Sequence, residues 1–188
     1  TAIRFPAADT FTVETAGSER VRIDDNGRLL VGSTSSRTIA NHAARIQLQG
    51  TDYQTATLAI VNNANAGNGA FLFFASQRSG SAGGSTVVQN NDSIGSLRFF
   101  AGDGTDINSY CAEIKAQIDG TPGSNDVPGR ITFSTTPDGS ASPTERMRIT
   151  SAGLVGINED PTIAQLQVRS AQLGGTSGNT QEVLRLHS

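Results

Sequence analysis

The chain has 188 residues, of which 36% are hydrophobic, 5% aromatic and 16% charged; there are 21 Gly and no Trp, and the formal net charge is −3. The charged share lies below the roughly 25% of ordinary globular domains, and core-forming material is sparse. No apolar run approaches the roughly 18 residues of a membrane span, the first residues show no secretory h-region, no basic surplus argues for nucleic acid, and a single Cys, Cys111, excludes an intrachain disulfide or a Cys-based zinc site.

Taken in chain order, short segments rich in Val, Ile, Phe and Thr predict strands at 3–5, 11–15, 20–24, 29–32, 44–49, 56–61, 70–75, 86–88, 94–100, 111–118, 130–135, 146–150, 154–157, 164–169 and 182–187. Asn26-Gly27, Asp103-Gly104, Asp119-Gly120 and Asp138-Gly139 stand between them as turn signals. Ile39, His42, Ala43 and Ile46 follow a 3.6 period, so 38–46 is a candidate short helix. Stretches 62–69 and 78–85 are polar and Gly-rich and read as surface loops. Short strands separated by such turns mean all-β. The fold class expected is therefore short-strand antiparallel sandwich or β-prism-like modules.

The sequence also resembles itself. Gly69-Ala70-Phe71-Leu72-Phe73-Phe74-Ala75 matches Gly95-Ser96-Leu97-Arg98-Phe99-Phe100-Ala101, and Gly129-Arg130-Ile131-Thr132-Phe133 keeps the same Gly-x-apolar-x-Phe spacing. Period 2 predicts Phe73, Phe99 and Phe133 at equivalent positions facing one buried layer, with Phe74 and Phe100 on the opposite side. A longer repeat pairs Glu19-Arg20-Val21-Arg22-Ile23 with Glu145-Arg146-Met147-Arg148-Ile149, then Leu30-Val31-Gly32 with Leu154-Val155-Gly156, Ala44 to Leu48 with Ala164 to Val168, and Leu58 to Ile60 with Leu184 to Leu186. The expected organisation is the end of one module over 1–43, a complete module over 44–163 and the start of the next over 164–188. On this reading, and without an initiator Met, the chain is a piece of a longer tandem protein. Arg20/Arg22 and Arg146/Arg148 should line a cationic strand face and pair with carboxylates on neighbouring strands or subunits.

A catalytic centre leaves no trace. His42 and His187 lack a Ser or Cys partner motif, and no Gly-x-Ser-x-Gly or His-Glu-x-x-His is present. Lys115, the only Lys, does not stand in a phosphate-binding loop. The carboxylate groups Asp24-Asp25, Asp103/Asp106 and Glu159-Asp160 sit in or beside turns, where Asp stabilises backbone locally. Asp103, Asp106 and Asn125-Asp126 are weak oxygen-ligand candidates for Ca²⁺. No catalytic, cofactor-binding or metal residue is assigned, and no cofactor is expected. Without Trp, and with Tyr53 and Tyr110 in separate segments, the chain offers few stacking platforms for sugars. Cys111 is expected to face the interior as a small hydrophobe.

Thr144 to Ile149, the Gly turn, Leu154-Val155-Gly156-Ile157-Asn158, Pro161 and Ala164 to Val168 resemble the "ERMRI…G.VGIG…P…L.V" module of bacteriophage tail fibres, and Arg20 to Gly32 resembles a second copy. Residues 119–135 are similar to the segment that commonly precedes it. The resemblance implies a non-enzymatic virion fibre, extracellular once assembled, homotrimeric and elongated. Its partners would be other copies, further tail or fibre proteins and a host surface glycan, with neither nucleic acid nor membrane insertion involved. Two alternatives from other classes stay open: a lectin-like glycan-binding module using loops 62–69 and 78–85, and a polysaccharide-degrading enzyme.

Overall fold

The computed structural model describes residues 1–63, 65, 67–163 and 165–168; the strand expected at 182–187 lies outside them. The described residues form eleven β-strands and no helix. They fall into two compact units, Thr1–Leu72 and Phe73–Ser188. The first holds a five-stranded sheet, in order β1 (Ala2–Arg4), β2 (Phe11–Thr15), β3 (Ser18–Ile23), β4 (Leu29–Val31) and β5 (Ile46–Leu48). The second holds a six-stranded sheet built from β6 (Ser93–Ala101), β7 (Ser109–Ile118), β8 (Gly129–Thr135), β9 (Thr144–Ile149), β10 (Val155–Ile157) and β11 (Leu166–Val168), again with sequence neighbours side by side. Most pairs are antiparallel, as expected of hairpin-linked strands. The pairs β4·β5 and β10·β11 are parallel, which makes both sheets mixed. Among the described residues of each sheet, strands touch only the neighbours they pair with, so each sheet is a single layer.

The hairpins follow from their glycines. Gly27 and Gly153 adopt φ of 70° and 76°, and their amides donate to the carbonyls of Asp24 (2.8 Å) and Thr150 (2.9 Å), closing the β3–β4 and β9–β10 turns. Beyond each turn the hydrogen bonds recur at a spacing of 126 positions. Gly32 N donates to Arg20 O and Asn158 N to Arg146 O, and the donors have φ of 79° and 57°. Strand pairing therefore makes Leu29-Leu30-Val31 the counterpart of Val155-Gly156-Ile157, two positions away from the match made on sequence, and Gly32 the counterpart of Asn158.

One consequence is visible at Leu30, 0% exposed and paired with Arg22 and Gln47. Its counterpart Gly156 is paired with Arg148 and Gln167, and buried Pro161 packs onto it. A Cβ at Gly156 would collide with the Glu159 carbonyl and lie 2.6 Å from Pro161 Cδ. Neither obstacle is a flexible side-chain tip, so Gly156→Ala is expected to destabilise by about 1–3 kcal/mol. Thermal unfolding checks this; an unchanged melting temperature would contradict the packing.

Four expectations are corrected. Residues 56–61, 70–75 and 86–88 form no strand, because an apolar segment becomes a strand only where a partner edge accepts its hydrogen bonds. Phe73 is consequently 82% exposed and shares no strand position with Phe99 or Phe133. The segment 38–46 is no helix: Ala40 and Asn41, at φ 51° and 62°, form a tight turn closed by reciprocal Ile39–His42 hydrogen bonds. Cys111 is exposed, because it is the extra residue of a bulge that sets Phe99 opposite Ala112 and Phe100 opposite Tyr110.

Candidate functional site: an open apolar face on each sheet

Register assembles the side chains into rows. In the second sheet Leu97, Ile114, Phe133, Met147, Ile157 and Val168 lie side by side across all six strands. The adjacent row is Gly95, Ala116, Ile131, Ile149, Val155 and Leu166. In the first sheet Ile3, Val13, Val21, Val31 and Leu48 form one row, and Phe11, Ile23, Leu29 and Ile46 the next. Alternation puts both rows of a sheet on one face, and Phe5 extends that face, edge-on to Phe11 with ring centroids 5.8 Å apart. Each sheet thus has an uninterrupted apolar face.

These faces are largely open, although Phe74 packs over Gly95 in the second sheet. Phe5 is 77% exposed, Ile46 71%, Phe99 52% and Leu97 47%, and Ile3, Ile23, Leu48, Ile114, Ile131 and Leu166 are exposed as well. Among the described residues only Leu30, Val88, Ile118 and Pro161 are buried apolar side chains. Covering a half-exposed Ile or Phe is worth on the order of 1 kcal/mol, so the ten residues named represent on the order of 10 kcal/mol before association costs. Such an area on a soluble protein marks an interaction surface.

The opposite faces are charged and self-satisfied. Glu113, 5% exposed, accepts from Arg98 Nε (2.9 Å) and from Lys115 Nζ (2.8 Å). Burial pushes the Glu113 carboxyl up, but the Lys115 ammonium paired with it holds it below the usual carboxylate range. Phe100 stacks on Tyr110 at 4.7 Å, and the Arg98 guanidinium lies 5.7 Å from the Tyr110 ring centre. Phe100 therefore stands on the charged side, away from Phe99. Arg22 pairs with Glu19 and Arg148 with Glu145, and Arg148 also reaches Asp160 at 2.8 Å.

Those pairs depend on bulges that the alternation alone does not reveal. Val21 faces Val13 while Glu19 faces Glu14, leaving Arg20 as the extra residue; Arg146 is the extra residue in β9. The added residue brings Glu19 and Arg22 to one face despite their separation of three. It also redirects Arg20 and Arg146, whose Nε atoms donate to Thr15 Oγ1 (3.0 Å) and Thr135 Oγ1 (3.1 Å). Arg22 and Arg148 thus each find a carboxylate on their own strand, with Asp160 a second partner for Arg148, and the expected line of paired arginines on one face does not form.

The remaining candidates are structural. Asp24 accepts from the Asn26 and Arg28 amides and pairs with the Arg28 side chain, closing its turn. Asp103 accepts from the Thr105 and Asp106 amides and from Ser109 Oγ. Asp25 and Asp106 bond to the neighbouring Asn26 and Asn108. Asn125, at φ 57°, and Asp126 belong to a turn in which Asp126 and Gly123 exchange backbone bonds. His42 Nδ1 lies 2.6 Å from the Ala40 carbonyl. Among the described residues no three His, Cys, Asp or Glu side chains gather to hold a metal ion, and no helix is long and apolar enough to cross a membrane. Arg20, Gly32, Gln49 and Thr55 line an open hollow that contains no carboxylate and no histidine.

Loop 78–85 is anchored by Arg78, which donates two bonds of 2.6 Å to Asp92, while the Gln89 amide adds a third at 2.8 Å. Together these hold the Asp92 carboxyl at about 2, against an ordinary 3.8. A depressed carboxylate adds stability that is complete above the unfolded value and disappears as pH falls through the folded one. Loop anchoring is therefore expected to persist from neutral pH to below 3.8 and to fade near 2. Carboxyl NMR titration should place Asp92 near 2 and Arg78→Gln should raise it; an Asp92 midpoint at the ordinary value would contradict the pairing.

No family model and no curated protein matches the chain. Among solved structures its fold is similar to the carboxy-terminal domain of the bacteriophage T5 L-shaped tail fibre, with a TM-score of 0.61 and 16% identity over 94% of this chain and 72% of that one. It is also similar to that domain with its intra-molecular chaperone domain, with a TM-score of 0.57 and 16% identity over 95% of this chain and 54% of the longer one. At this identity the likeness establishes the all-β fold.

Proposed function

We propose that the chain is a structural segment of a phage tail fibre that acts as a shaft or spacer in host attachment, built from repeated modules and assembled as a homotrimer. The observation that carries this reading is the open apolar face on each sheet, opposite a charged face whose ions are already paired. A binding or catalytic domain would use its apolar residues for its own core; here they are left to be covered from outside. The fold likeness to a tail fibre domain supports the same reading, as do the hydrogen bonds that recur 126 positions apart in the two sheets. Copies of one chain meeting by their apolar faces would place the charged faces outward, which suits a thin fibre whose buried area arises between chains. The work is mechanical and extracellular, with no bond made or broken, and its partners are other copies and neighbouring fibre proteins.

The test is location on the parent particle. Gold-labelled antibodies raised against this chain should decorate a tail appendage in electron micrographs. Label confined to the capsid, or absent from intact particles, would overturn the assignment.

A further inference from the structure

We propose that the apolar segment Gly69–Ala75 of one copy adds as a strand to the outer edge of β6 in a neighbouring copy. This rests on the self-association reading above. The receiving edge is unusual. β6 spans nine residues, ends its sheet, contains no Pro, and carries exposed Leu97 and Phe99 on its apolar face. A long apolar edge presents free backbone donors and acceptors to another chain.

The segment fits that edge by composition. Its seven residues repeat the β6 pattern at an offset of 26, including the double Phe. As an added strand it would continue the apolar face with one set of alternate residues. Within its own chain the segment forms no strand, and Leu72 is 61% exposed. Its own-chain contact with β6 is of a different kind. A Cβ at Gly95 would lie 2.6 Å from Phe74 Cβ, so Phe74 sits over the sheet face, along the direction in which a side chain leaves the sheet. A paired strand would instead lie about 4.8 Å to the side, in the sheet plane. Phe74 thus rests over the face, and among the described residues no strand pairs with the outer edge of β6.

The test co-expresses two versions of the full chain. One carries Leu72→p-benzoylphenylalanine, which is photo-reactive; the other carries Ser96→Thr, which makes its β6 peptide heavier by one methylene. After irradiation, mass spectrometry of the assembled protein should find the residue-72 peptide joined to the heavier β6 peptide, a product that forms only between copies. Cross-links only to the lighter β6 peptide of the same chain, only to other regions, or none at all would overturn the proposal. The solution mass of the same sample separates the two readings. A multimer lacking the mixed product rejects strand addition and leaves self-association standing, whereas a monomer rejects both.

Discussion

Ile131→Glu is expected to reduce the assembled protein to single chains of 19.5 kDa. Ile131 lies in the row Gly95, Ala116, Ile131, Ile149, Val155 and Leu166 and is 45% exposed in the single chain. A Glu at this position can reach water in an isolated chain, so β8 and its pairing should survive. In an assembly that covers the face, each copy would have to bury a carboxylate without a partner, at several kcal/mol per ion. That loss, repeated in every copy, consumes the surplus that the apolar contacts leave after association costs. Circular dichroism should retain its β signature while sedimentation shows the smaller species. Ser124→Glu adds the same charge in an exposed loop and should leave the mass unchanged. An Ile131→Glu protein that keeps the wild-type mass would mean that the apolar face of the second sheet is not an interface.

Leu30→Ala should produce the largest loss of intrinsic stability. Leu30 is one of very few apolar side chains that the chain buries by itself, and it occupies the centre of β4 between Arg22 and Gln47. Buried Leu→Ala substitutions cost about 2–5 kcal/mol through lost transfer energy and the cavity left behind. For a chain of this size that corresponds to a melting temperature lowered by several degrees. The loop between β4 and β5 limits collapse into such a cavity. Gln47 holds it through bonds from the Arg37 amide (2.8 Å) and to the Arg37 carbonyl (3.1 Å). Equilibrium unfolding in urea provides the measurement. A midpoint indistinguishable from wild type would show that Leu30 is not enclosed as described.

What could be read from sequence was local. Alternation in 11–15, 130–135 and 146–150 identifies β2, β8 and β9, and Asn26-Gly27 and Ala152-Gly153 mark real hairpins because the required positive φ is cheap for Gly. The all-β class follows from these signals. Errors arose where a distant partner decides the outcome. Residues 56–61 and 70–75 are as apolar as β6, yet apolar composition does not say whether an edge is available. The bulges at Arg20 and Arg146 reverse side-chain parity after one residue, so Glu19 and Arg22 meet on one face although a regular strand would separate them. The same effect brings Cys111 to the surface. The open faces were foreshadowed by the sparse core and the paired Phe residues. Their extent became visible only once register had placed Leu97, Ile114, Phe133, Met147, Ile157 and Val168 in line.

The mass of the soluble protein in solution, by multi-angle light scattering or sedimentation equilibrium, bears most directly on whether copies of this chain cover those faces. The proposed fibre requires a stable species of three times 19.5 kDa that resists dilution. A folded species of 19.5 kDa, persisting as concentration rises, would contradict it.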